Sequence, residues 1–402
     1  MQYQNYHRHS YYTNVRISDS VVSNRDYAKR AVELGHGVLS SCEHSFQGRY
    51  QEVVSLAKEY GLKPLISAEA YWVKDRAEKD RTNCHIFIAA MNENGRRALN
   101  SVLSEANLSG FYGQPRLDID LLLSLPPNDV IVTTACIAYW RYEDVEEITQ
   151  KLHEHFGDNF YLEVQYHNTP SQIALNQRIL QLRDKLGIKL IMGCDSHYIY
   201  DYQNQNRADF LASKGLNYPE EDGWFLDYPD GDTAYQRFAN QAVLSHRDIM
   251  EAINNTNVFL NVEEYDSPIF NDDIKLPSLY PSWTQDQKDA EYQRLVWNGW
   301  DKYKEGIPQE QWPKYEEEIE KEIKVVIDTH MADYFIIDYE VMKRGKELGG
   351  KLTKSGRGSG ASFFTNTLLG FSDVDRISAP VHMYPERFAS TTRILQSKGI
   401  PD

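Results

Sequence analysis

Tyr6-His7-Arg8-His9-Ser10 places two histidines two residues apart on a segment with no helical pattern. Successive side chains of an extended segment alternate faces, so His7 and His9 point one way and Arg8 the other. Two imidazoles on one face can hold one metal ion, or two neighbouring ions. Alone, such a pair is commonly a surface accident. The rest of the chain decides the reading, because ligand-type residues recur where apolar runs end.

Residues 23–34 carry a helical pattern, with Ser23 or Asn24 as cap and Gly35 beyond its end. The short apolar run 37–39 leads to Cys42-Glu43-His44. A helix over 47–60 is stopped by Gly61, and the run 63–68 ends at Glu69. Another apolar run, 86–90, precedes a helix over 93–106. A strand over 129–134 ends at Cys136, and one over 159–164 ends near Gln165 and His167. A helix over 171–186 leads to a strand over 188–193, which ends in Cys194-Asp195-Ser196-His197. Short strands alternating with longer helices predict a parallel sheet, and about seven such units predict a β/α barrel. Chemistry in such barrels sits where strands end. His44, Glu69, Cys136, Asp195 and His197 fall there, where glycine, asparagine or serine is the usual occupant. His85 precedes its apolar run, and spacing alone does not place it.

Mixed imidazole, carboxylate and thiolate donors suit zinc, manganese or iron. The candidates His7, His9, Asp19, His44, Glu69, His85, Cys136, Asp195 and His197 exceed the needs of one ion. A bridging Glu69 lets two or three ions share the site. Clustered divalent ions acidify water and neutralise phosphoryl charge, which points to a metal-dependent phosphoesterase. Other residues carry plainer readings. Cys42, Cys84 and Cys194 flank apolar runs and read as buried small hydrophobes. His153, His155 and His330 lie on helical patterns and read as surface or capping residues. His167 is as much a lining residue as a ligand, and Glu43 as much a support as a ligand. Asn14 competes with Asp19, but aspartate is much the better ligand for a hard cation.

The totals set bounds. A chain of 402 residues exceeds one small core, so two domains, or one large one with an extension, are expected. No run of about 18 apolar residues exists, which excludes a membrane span. No signal segment precedes His7, so a cytoplasmic location is expected. Four cysteines in so long a chain do not make a disulfide framework. A net charge of −16 argues against wrapping nucleic acid by bulk electrostatics, though not against a local site.

The ordered set of His7-Arg8-His9 with Asp19, Cys42-Glu43-His44, Ala68-Glu69-Ala70-Tyr71, His85, Cys136 and Asp195-Ser196-His197 resembles the motifs of the polymerase and histidinol phosphatase (PHP) domain. The resemblance implies a distorted seven-stranded β/α barrel with a trinuclear metal site. It further implies that the nine candidates are its ligands, and that 3′–5′ exonuclease activity is available. Glu43 departs from the family, which usually has aspartate in a Thr-Asp-His motif. Arg8 stands where an apolar residue is common. Neither change removes a ligand.

Beyond His197 the alternation fades. Leu276-Pro277 and Tyr280-Pro281 mark a domain boundary, and residues 285–331 are mostly helical in pattern. Tyr334 to Tyr339 reads as a strand or a buried helix start, and 340–348 and 363–369 as helices. Between the last two, Gly356-Arg357-Gly358-Ser359 could aim backbone N–H groups, a guanidinium fork and a hydroxyl at a phosphate. Taken with Ala332-Asp333-Tyr334-Phe335, Leu369-Gly370-Phe371-Ser372-Asp373 and Pro385-Glu386-Arg387-Phe388, this stretch resembles the start of the palm of bacterial C-family replicative polymerases, the DNA polymerase III α family.

The expected organisation is a PHP barrel over 1–270 and a partial α+β palm over 271–402. The resemblance implies that Gly356, Arg357, Gly358 and Ser359 bind the nucleotide triphosphate. It makes Asp402 the first catalytic carboxylate, with Mg2+ supporting polymerisation. Primer–template DNA, deoxynucleotides and replisome subunits such as a sliding clamp are the implied partners of the full-length enzyme. Two-metal transfer needs further carboxylates, so this chain alone is expected not to extend a primer. Two rival readings stand beside this one. The first is a free-standing PHP phosphoesterase acting on a small monoester. The second is a non-catalytic PHP module that recruits replication partners.

Overall fold

The computed structural model describes all residues except 80, 82, 83, 136, 266–276, 352–357 and 398–402. Among the described residues eight strands are formed, most of them where apolar residues run together: β1 (Val38–Ser40), β2 (Lys63–Leu65), β3 (Ser67–Trp72), β4 (Cys84–Ala90), β5 (Arg116–Leu117), β6 (Val130–Thr133), β7 (Phe160–Val164) and β8 (Lys189–Met192). β1 pairs in parallel with β2. The others form one sheet in the order β5-β3-β4-β6-β7-β8. Most of its pairs are parallel, but β4 runs antiparallel to both β3 and β6.

This sheet differs from the expected all-parallel alternation in one respect that matters. Reversing β4 brings its N-terminal end level with the C-terminal ends of its neighbours, so His85 pairs with Tyr71 near the end of β3. Glu69 also differs from expectation. It lies within β3 rather than past a strand end, because Lys63–Leu65 and Ser67–Trp72 are separate strands.

Both faces of the sheet are covered, which explains near-continuous apolar strands. On β4, Ile86 and Ile88 pack into the larger core with Trp72, Leu99, Val132 and Leu162. Phe87 and Ala89 point the other way, into a second cluster with Tyr6, Val38, Ile131, Tyr161 and Ile191. His85 shares the face of Phe87, and Glu163 that of Tyr161, because strand side chains repeat every two residues. The extended N-terminal segment lies against this arrangement. Arg8 bridges Ser196 just past β8, and Ser40 of β1 donates its hydroxyl to the Tyr6 carbonyl at 2.6 Å.

Helices start and stop on the expected signals. Ser23 caps Asn24–Glu33, and Gly61 ends Tyr50–Tyr60 at φ 69°.

The chain divides into two units, Met1–Phe270 and Asn271–Asp402. The described residues of the second unit are helical, chiefly Gln285–Tyr303, Trp312–Asp328 and Ala332–Glu347. The strand component expected there is not among them. The stretch 334–339 is helical because Ala332, Phe335 and Ile336 form an i, i+3, i+4 stripe buried against Tyr292, Val296 and Phe363. Among the described residues no helix is long and apolar enough to cross a membrane.

A candidate metal centre

Eight of the nine expected ligands meet at one end of the sheet. His7 Nε2 lies 3.3 Å from Glu69 Oε1 and 3.4 Å from Asp195 Oδ1. His9 Nε2 lies 3.2 Å from both Glu69 Oε2 and Asp195 Oδ1. His44 Nδ1 is 2.9 Å from Glu69 Oε2, and His85 Nδ1 is 3.1 Å from Glu69 Oε1. Asp19 Oδ2 stands 2.7 Å from His197 Nε2 and 3.3 Å from His44 Nε2. The ninth, Cys136, lies outside the described residues.

Three elements set this geometry. Extended backbone carries His7 and His9 to the same side. The parallel bridge between His44 and Glu69 aligns the exit of β1 with β3. Asp195 takes a left-handed φ of 46° beyond β8, and Ser45, beside His44, takes 62°. A non-glycine residue there costs about 1–3 kcal/mol, and such strain collects at functional sites.

Glu69, Asp19 and Asp195 are almost wholly buried. Burial alone would raise their carboxyl groups. Around Glu69, His85, His7 and His44 hold the carboxyl well below its usual range. Asp19 is held down by His197, His44 and Arg207, and Asp195 by His7, His9 and His197. Three buried anions in one pocket demand positive charge. Arg207 supplies part of it, donating Nε–H to the Asp19 carbonyl at 2.6 Å and bonding the Asp19 carboxylate as well.

A metal ion fits the remainder. His7 Nε2, both Glu69 oxygens and Asp195 Oδ1 are buried, and among the described residues none has a hydrogen-bond partner; the same holds for His9 Nε2 and His44 Nδ1. These atoms approach one another without aiming hydrogens at lone pairs, as donors converging on shared cations do. Ligand-type atoms within 4.8 Å of one another include the sets His9, His44 and His197, and His44, Glu69 and His85. The far ring nitrogens are tied back. His7 Nδ1 is 2.8 Å from Glu163 Oε1, and His197 Nδ1 is 2.8 Å from the Asp195 carbonyl. Metal-binding histidines are usually held this way.

Two supports escaped the sequence reading. Glu163 receives His7 and Gln165 on Oε1, at 2.8 and 3.0 Å, and the Tyr6 and Thr133 hydroxyls on Oε2, at 2.7 and 2.8 Å. The signal was a carboxylate inside an apolar strand, Phe160–Val164. Arg207 gave no such signal. Glu43 lies behind the converging donors. It takes two bonds from the Ser10 N–H, at 3.0 and 3.2 Å, and lies 3.9 Å from His9 Nδ1. Burial pushes its carboxyl up to about 8.

The plainer readings also meet the structure. Asn14 Oδ1 accepts from the Asp19 and Ser20 N–H groups, so it braces the loop. His167 accepts the Phe225 N–H at 3.1 Å and stacks on Trp224. Cys42 and Cys194 are buried, and burial pushes both thiols up. Cys42 is nevertheless within reach of His7 and His9. In the second unit, Gly358 (φ 82°) and Ser359 open a short turn. Gly356, Arg357 and Asp402 lie outside the described residues.

The centre opens into a cavity of about 680 Å³. Asp19, His44, His85, Asp195 and His197 line it, with the fully buried His7 and His9 among their partners.

With this geometry in view, the relatives are informative. A family model of the PHP domain matches residues 5–167, and one of the bacterial DNA polymerase III alpha NTPase domain matches residues 291–398. The DNA polymerase III subunit alpha of Helicobacter pylori is 27% identical over 95% of this chain and 34% of its own length. Its counterpart in Aquifex aeolicus is 26% identical over 95% of this chain and 35% of its own. That of Borreliella burgdorferi is 25% identical over 96% and 34%. The chain spans about a third of the length of these curated relatives. A PHP-domain match followed by an NTPase-domain match, in that order along the chain, makes the chain similar to the N-terminal third of bacterial DNA polymerase III alpha subunits.

Proposed function

We propose that Met1–Phe270 is a PHP domain whose metal centre hydrolyses phosphodiester bonds, acting as a 3′–5′ exonuclease, and that the second unit begins a polymerase palm. His7, His9, Asp19, His44, Glu69, His85, Asp195 and His197 hold the ions, with Cys136 as a ninth ligand and zinc, manganese or ferrous iron as the metals. The observation that carries this reading is the set of buried, unpartnered donor atoms converging beside an open cavity. Bound divalent ions supply charge neutralisation at phosphoryl oxygens and acidify water at neutral pH. The protein residues do the rest. Glu163 braces His7 from behind through Nδ1, which fixes the direction in which its Nε2 points, while Glu43 stands 3.9 Å behind His9 Nδ1. Arg207 compensates Asp19, leaving its second oxygen toward His197 and His44.

In the complete family enzyme, template-directed DNA synthesis with Mg2+ is the proposed activity. Primer–template DNA and deoxynucleotides are its substrates, and a sliding clamp is among its partners. Gly356, Arg357, Gly358 and Ser359 would face the triphosphate, and Asp402 the catalytic ions. The match over residues 291–398 favours this over a free-standing monoesterase.

The test is hydrolysis by the purified chain with Mn2+, comparing a single-stranded oligonucleotide with a phosphate monoester. Strand shortening that disappears in Asp195→Ala and under chelation is expected. Release of phosphate from the monoester alone would overturn the proposal.

A further inference from the structure

The cavity beside the metal centre is not shaped for a bare phosphate. One helix, Pro170–Leu186, presents Ser171, Ala174, Leu175 and Arg178 to it, an i, i+3, i+4, i+7 stripe. Trp140, Trp224, Ile137 and Ile17 continue the wall. A polar sugar monoester would leave these surfaces facing water, which is unfavourable for so much apolar area. The volume, about 680 Å³, falls among pockets that enclose a whole organic ligand, about 300–1,000 Å³.

Two aromatic residues are held in place. Trp224 is half-buried and stacks on His167, with ring centroids 4.7 Å apart and planes 5° apart. His167 is itself anchored by the Phe225 N–H. One indole face is thus covered by His167, and Trp224 also lines the cavity. Trp140 is buried to nine-tenths, with the Arg178 guanidinium 5.5 Å over its ring. Among the described residues Arg178 makes no ion pair with a carboxylate, so its fork of donors remains available to an anion.

A flat aromatic platform, an uncommitted guanidinium and a phosphoester-hydrolysing centre along one wall match one ligand chemistry: a nucleobase with its neighbouring phosphate. We propose that Trp224 stacks on the 3′-terminal base of a single-stranded polynucleotide and that Arg178 engages a flanking backbone phosphate. An unpaired end is required, because a paired base does not offer its face. The proposal rests on the phosphoesterase reading for its setting, and it adds the residues that select the substrate. Stacking tolerates any base, so the subsite reads strandedness and not sequence.

The test uses fluorescence anisotropy in Mn2+ with a 5′-labelled thymidine oligonucleotide whose last linkage is a phosphorothioate, to slow turnover. A second strand ends in an abasic sugar instead of thymidine. Wild type should bind the abasic strand about 10-fold more weakly, the scale of one stacked base. Trp224→Leu should erase that difference, and Trp224→Phe should retain most of it. Arg178→Gln should weaken both strands alike and flatten the salt dependence. Unchanged circular dichroism and metal content show that the variants are folded. Equal wild-type affinity for both strands, or a preference that survives in Trp224→Leu, would overturn the proposal. Hydrolysis of unmodified strands separates the two readings. A base preference in binding without hydrolysis sinks the phosphoesterase and supports the stacking subsite. Equal hydrolysis of base-bearing and abasic ends does the reverse.

Discussion

Replacing Glu163 by glutamine keeps the shape of the side chain and changes only its chemistry. The carboxylate receives four donors, two on each oxygen: His7 and Gln165 on Oε1, Tyr6 and Thr133 on Oε2. Two oxygens with two lone pairs each are then fully used. A glutamine has one oxygen and an NH2 group. The least damaging orientation keeps the oxygen toward His7 and Gln165 and points NH2 at the two hydroxyls. Each hydroxyl can turn to accept, but its own hydrogen then lacks a buried partner. An unsatisfied buried donor costs about 1–3 kcal/mol, so the pair costs about 2–6 kcal/mol, offset in part by the smaller desolvation of a neutral amide. His7 also loses the negative charge behind its ring. Loss of such a partner typically weakens metal binding about 10- to 100-fold. Chelator-competition titration reads the affinity, and thermal unfolding reads the stability. A Glu163→Gln chain whose metal affinity stays within about threefold of wild type, below that range, would refute the reasoning that Glu163 orients His7 as a ligand.

Other consequences can be checked alongside. A Cβ added at Gly193 would sit 1.9 Å from Glu163 Oε1, so Gly193→Ala should lower stability by about 1–3 kcal/mol and lower metal content with it; calorimetry and elemental analysis decide. Burial lowers His36 to about 4, while the unfolded chain titrates near 6.5. Between those values the unfolded state binds the proton and the folded state does not. Stability is therefore full above about pH 6.5 and falls by up to about 3 kcal/mol as pH drops toward 4. Urea unfolding across that window should show a shallower decline in His36→Gln. In the second unit, Glu322 accepts the Phe364 and Thr365 N–H groups at 2.9 and 2.7 Å and pairs with buried Arg376. Arg376→Met strands that carboxylate and should cost about 3–5 kcal/mol. An unchanged melting transition for the second unit would contradict this.

Most of the candidate ligand set was legible because its members are chemically unusual residues for their places. Asp195 and His197 stand where a turn residue is expected, and His7 and His9 share a face by strand alternation alone. His85 could not be placed because its position depends on the direction of β4, which is set by tertiary pairing and not by local pattern. Glu69 was assigned to a strand end because Lys63–Leu65 and Ser67–Trp72 read as one apolar run; the break at Ile66 follows from pairing with different partners. Glu163 was visible as a charge inside a buried strand, but its function depends on Tyr6, Thr133 and His7, all distant in sequence. Arg207, on a helix with no marked pattern, reaches Asp19 across 188 residues, and no local signal reports such a contact. In the second unit the run 334–339 was ambiguous between strand and helix. Short apolar runs often are, and here burial of the 332, 335, 336 stripe decided it.

The central claim is that buried donors between His7 and His197 are ligands to divalent ions. Elemental analysis of the purified chain, wild type against Asp195→Ala, tests it most directly. Asp195 Oδ1 lies within 3.4 Å of both His7 Nε2 and His9 Nε2, so its loss removes a donor shared by both imidazoles. The account predicts about two to three zinc, manganese or iron ions per wild-type chain and a marked loss in the variant. A wild-type chain that folds stably, reaches the same melting temperature with and without chelator, and carries no metal after dialysis against these ions would contradict it.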